Sequence, residues 1–168
     1  MPLLLPVLVR GINNLSDARY CAGMGADGLI FTLDPELPGA VTPETVTALA
    51  GWVSGVELIG EFASLPAAEI NQLITACGLR RVLLPPNAAA KAADLAVPTL
   101  PTAAYRPGQP LATNPAVWLT GTFDPATLPA LLAATRPAGL ILQGGDEIKP
   151  GLRDFTELEA VFEALEME

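Results

Sequence analysis

The 168 residues of this chain include no histidine. That absence removes imidazole bases, Ser-His arrangements and His-ligated metals together. The two cysteines, Cys21 and Cys77, are too few for a disulfide framework and lack metal-ligand spacing. Both read as reduced packing residues, and neither a metal nor a cofactor is expected. The groups left for chemistry are the carboxylates Asp34, Glu61 and Asp146, the guanidinium of Arg10, and two glycine-bearing loops at Gly121 and at Gly144-Gly145, the latter running into Glu147. Carboxylates exchange protons; a guanidinium stays charged, so Arg10 is an ion-pair partner or an anion receptor. Glycines ahead of a helix let backbone N–H groups approach a phosphate, or they serve tight turns. Asp146 and Glu147 set negative charge beside the second loop, which works against the phosphate reading.

These residues need a scaffold, and the chain alternates short apolar runs with helical patterns. Strands begin near residues 7, 28, 57, 81, 97, 117 and 139. Helices are expected from Asn14 to Ala22, capped by Asn14 or Ser16, from Thr42-Pro43-Glu44 to Val53, over 66–77, over 87–95, from Asp124-Pro125 to Ala134, and over 155–165. Repeated βα order implies a parallel sheet covered by helices, as an open doubly wound sheet or a barrel. Seven strands are countable, short of the eight of a complete barrel. Pro98, Pro101, Pro107, Pro110 and Pro115 forbid a regular helix in 97–116, so the fifth strand has no proper helix after it. In parallel βα folds, ligands sit at the carboxyl ends of strands. There stand Arg10, Thr32 with Asp34 and Glu36, Glu61, Asn87, Thr102 with Tyr105, Gly121, and Gln143 with Gly144, Gly145 and Glu147.

Composition narrows the function classes. At 51% hydrophobic and 16% charged residues the chain has enough apolar matter for one large core, and residues 1–168 read as a single domain. A net charge of −9 repels phosphate backbones, so nucleic acid is not an expected partner. No apolar run approaches the roughly 20 residues that span a bilayer, and the run after Met1 lacks a basic flank and a cleavage site. A cytoplasmic protein without membrane attachment is expected. The missing helix beside 97–116 leaves apolar surface or a sheet edge; either the 97–116 segment wraps this gap or a second copy covers it, in an expected homodimer.

The run Val9-Arg10-Gly11-Ile12-Asn13-Asn14-Leu15-Ser16-Asp17-Ala18-Arg19, followed by Gly25-Ala26-Asp27-Gly28, resembles the opening of the phosphoribosylanthranilate isomerase family. Val41-Thr42-Pro43-Glu44 resembles that family's second helix start. Leu119-Thr120-Gly121-Thr122-Phe123-Asp124-Pro125 and Gly144-Gly145-Asp146-Glu147-Ile148-Lys149-Pro150-Gly151 resemble its closing loops. The likeness covers both ends and fades between 85 and 116. It implies a (βα) barrel, here shortened, and an isomerase of tryptophan biosynthesis that works without a cofactor. By the same resemblance, the general base is a cysteine on the first strand and the general acid an aspartate ending the sixth.

Arg10 stands at that cysteine position, and no counterpart of the aspartate is found between Tyr105 and Pro115. A permanently protonated group cannot accept a proton from a sugar carbon. The resemblance with these departures implies a barrel that is catalytically silent in the family reaction and binds a small anionic molecule or a protein partner. Its ligand groups would be Arg10, Gly121, Gly144, Gly145 and Glu147. The alternative is an active sugar-phosphate isomerase, of the family reaction or a related one, working through Asp34, Glu61 or Asp146. Within the mouth, Arg10 is expected either to pair with Glu61 and plug the site or to receive an anion.

Overall fold

Seven parallel strands form one sheet in the order β4-β3-β2-β1-β7-β6-β5. They are β1 (Val7–Arg10), β2 (Gly28–Thr32), β3 (Glu57–Glu61), β4 (Arg81–Leu83), β5 (Thr102–Ala104), β6 (Trp118–Thr120) and β7 (Gly139–Gln143). The structure, a computed structural model, describes residues 3–106, 115–121, 123–143, 147–149, 152–153 and 156–166. Five helices lie among them: α1 (Leu15–Gly23), α2 (Pro43–Ala50), α3 (Ala67–Cys77), α4 (Leu128–Thr135) and α5 (Thr156–Leu165). A short antiparallel pair, β8 (Glu147–Lys149) with β9 (Leu152–Arg153), follows β7.

Helix starts follow their capping chemistry. Asn14 is the residue that caps α1, its Oδ1 accepting from the Asp17 amide at 2.9 Å. Thr42 caps α2 by accepting from the Thr45 amide, with Pro43 just inside. The expected helix over 87–95 does not form; a single 3₁₀ turn at Ala92–Asp94 stands there. Its backbone bonds go elsewhere. Ala89 N–H donates to the Ala63 carbonyl, and Asn71 of α3 clamps the segment through the Asp94 carbonyl and the Ala96 amide. The helix expected from Asp124-Pro125 begins later, at Leu128, because Asp124 first holds a turn by accepting from the Ala126 amide.

The fifth strand also lies later than expected, at Thr102–Ala104, and it completes the ring. Just before it, the Leu100 amide donates to the Val82 carbonyl and the Val82 amide to the Pro98 carbonyl, giving one parallel bridge between Val82 and Thr99. Beyond Pro101 the same segment pairs with β6. The leading part of the 97–116 stretch therefore lies against β4, the first of the two expected arrangements at this place. Pro98 and Pro101 offer carbonyls but no N–H, which holds the β4 side to a single bridge.

Side-chain alternation sorts the interior into levels. A buried cluster takes an inner-face residue from six strands, Leu8, Ile30, Ile59, Leu83, Trp118 and Ile141, together with Leu100 from the segment before β5. The larger cluster lies outside the sheet, where Val7, Val9, Leu29, Phe31 and Leu140 meet Ala18, Val46, Ile70, Leu128 and Phe162 of the helices. Two residues before the inner apolar positions stand Gly28, Glu57, Arg81 and Gly139; an added Cβ on Gly139 would lie 2.3 Å from the Trp118 ring. Glycine there is the space into which the indole fits.

Candidate functional site

Two residues beyond the same inner positions, towards the carboxyl ends, the alternation delivers Arg10, Thr32, Glu61 and Gln143. The register places Arg10 opposite Gln143 on β7 and Thr32 opposite Glu61 on β3. These four polar side chains form a floor directly above the apolar level. With Gly11, Asn13, Leu37, Pro38 and Gly39 they line a cavity of about 400 Å³.

Charge in the cavity is arranged as a pair. The Arg10 guanidinium donates to a Glu61 carboxylate oxygen, and the Thr32 hydroxyl lies 3.5 Å from the other. The Arg10 side chain is 34% exposed and that of Glu61 13%. Pairing keeps both ions tolerable over an apolar floor, since a half-buried charge without a counter-charge is costly. The expected Arg10–Glu61 pair is thus present, yet it lies at the bottom of an open cavity instead of filling the mouth.

Asp34 is elsewhere. It is fully buried and accepts from the amides of Glu36, Ala63 and Ser64 and from the Ser64 hydroxyl. Burial pushes its carboxyl upward, but those donors more than offset this and hold it down at about 2. The carboxylate fastens the loop after β2 to the loop after β3 and does not line the cavity. Gly121, at the end of β6, has φ +141°, and an added Cβ would lie 2.6 Å from the Tyr105 carbonyl oxygen. Close backbone packing accounts for that glycine. Gly144, Gly145 and Asp146 lie outside the described residues; Glu147 opens β8, its backbone paired with Arg153. Tyr105 stacks on Phe123 with centroids 5.6 Å apart. Cys21 and Cys77 are buried thiols, as their apolar settings suggest.

The cavity wall from Leu37, Pro38 and Gly39 and the contribution of Asn13 escaped the sequence reading. The signal for the first was present: Pro35 and Pro38 forbid a helix, so the loop after β2 must fold over the strand end. Among the described residues, no group of three or more His, Cys, Asp or Glu side chains is placed to hold a metal ion, and no helix is long and apolar enough to cross a membrane.

No protein-family model matches the chain. An 82-residue stretch is 38% identical to the N-(5′-phosphoribosyl)anthranilate isomerase of Pelobacter propionicus, covering 48% of this chain and 39% of that protein. The chain thus spans well under half of that relative in the match. The enzyme of the same name from Trichormus variabilis is 26% identical over 204 aligned positions, covering 95% of this chain and 97% of that protein. The crystal structure of phosphoribosyl anthranilate isomerase from Thermus thermophilus superposes with a TM-score of 0.74 at 25% identity, over 95% of this chain and 98% of that one. The chain is a relative of the phosphoribosylanthranilate isomerases. An alignment of 204 positions for 168 residues places gaps in this chain.

Proposed function

We propose that this barrel does not carry out the proton transfers of phosphoribosylanthranilate isomerase and instead binds a small molecule at its mouth through an anionic group, with Arg10 as receptor. One observation carries the reading: the end of β1 presents a guanidinium, paired with Glu61, on the floor of the cavity. A side chain that stays protonated cannot be the base at the position the family resemblance assigns to one. An arginine fork matches carboxylate or phosphate oxygens in two-point contact. The test is turnover of phosphoribosylanthranilate by the purified chain, expected at background, together with thermal shifts on adding anthranilate or inorganic phosphate. Stabilisation by either that is lost in Arg10→Gln supports the reading; no response to any small anion overturns it.

A second reading draws on the position of Glu61 in the cavity wall. A carboxylate there can serve as the base of an isomerisation, making the chain an active sugar-phosphate isomerase. Turnover at an ordinary enzymatic rate that disappears in Glu61→Gln selects this reading over the first.

A further inference from the structure

The ion pair on the cavity floor also decides which class of small molecule fits, if the cavity is a binding site as proposed above. A simple anion reaches Arg10 only by taking it from Glu61. That leaves the Glu61 carboxylate, 13% exposed and seated next to the level of Ile30 and Ile59, with the Thr32 hydroxyl as its remaining hydrogen-bond neighbour among the described residues. A phosphate adds still more negative charge next to it. Both outcomes carry the penalty of an uncompensated half-buried ion.

A ligand with a carboxylate and an ammonium group close together escapes this. Its carboxylate takes the place of Glu61 on the Arg10 fork, and its ammonium takes the place of Arg10 at Glu61. The net charge of the floor is unchanged, and each ion has a partner. Thr32 and Gln143 flank the exchanged groups, and Leu37, Pro38 and Gly39 supply an apolar side wall. A volume of about 400 Å³ lies in the range of small-molecule sites. We propose that the mouth binds a small zwitterion of the α-amino acid class, carboxylate on Arg10 and ammonium on Glu61.

Three probes that share an isobutyl group test this: leucine, 4-methylpentanoate and 3-methylbutylamine, titrated into the full chain and followed by NMR shifts of the mouth residues, with inorganic phosphate as a fourth. Leucine is expected to bind at least tenfold more tightly than the acid, the amine or phosphate. In Glu61→Gln the preference is expected to vanish, with the acid binding as tightly as leucine. If the native chain binds the acid or phosphate as well as leucine, the zwitterion proposal falls and the anion reading stands. If no probe shifts the mouth resonances, both fall. The comparison on the native chain holds even where a variant fails to fold.

Discussion

The Arg81 guanidinium lies over the Trp118 ring, 5.0 Å from its centroid, while its Nε donates to both carboxylate oxygens of Glu57 at 3.0 and 3.2 Å. These residues occupy the end of the barrel opposite the cavity, and together they cap the interior level from below. Among the described residues one Arg–Glu pair stands at each end of the interior, and the Arg10–Glu61 pair is the one that lines the cavity. Replacing Arg81 by Leu is expected to cost about 2 kcal/mol, because it strands Glu57 and removes the cation from the indole face. Adding Glu57→Leu should recover part of this loss. Urea titrations of the two single variants and the double variant measure the coupling.

Asp34 makes stability depend on acid. Its carboxyl titrates at about 2 in the folded protein against an ordinary 3.8. As pH falls, the unfolded chain takes up this proton first, so folding loses support between those two values. Above about pH 4 the full contribution, about 2 kcal/mol, is present; near pH 2 it is gone. Asp34→Ala is expected to cost about 3 kcal/mol at neutral pH by leaving the Ala63 and Ser64 amides without their acceptor. The acid-limb slope of the variant should be flatter. Chemical denaturation from pH 2 to 7 checks both.

Gly139→Ala drives a methyl group into the Trp118 ring and the Pro6 carbonyl. Neither is a flexible chain end, so the loss is expected to be about 3 kcal/mol, seen as a lowered urea midpoint. Gly23→Ala is the control, since nothing lies within 4 Å of its Cβ position.

Asn71 fixes the connection between β4 and β5 through two bonds. Asn71→Ala should cost about 1 kcal/mol and speed amide exchange at Ala96 without disturbing α3.

The polar mouth was legible because inward positions repeat every second residue. Once Leu8, Ile30, Ile59 and Ile141 face inside, Arg10, Thr32, Glu61 and Gln143 follow at the carboxyl ends. The pairing of Arg10 with Glu61 was readable from charge alone. What sequence could not show is that the pair leaves a cavity above it, since that depends on how the 37–39 loop folds over β2. The alanine-rich 87–95 stretch misled for a similar reason. Its intrinsic preference is helical, but Asn71 and the Ala63 carbonyl, both distant in sequence, take the backbone bonds a helix would use. Asp34 looked like a candidate acid because position alone does not reveal how many donors surround a carboxylate.

Six joins of the ring are continuous ladders, and the seventh, between β4 and the segment entering β5, is one bridge at Val82 and Thr99. A hoop stapled once at its overlap springs open there first. Thermal breathing should part these two staves before any others and admit water to Leu83 and Leu100, so the amide protons of Val82 and Leu100 should exchange well ahead of those in β1 and β2.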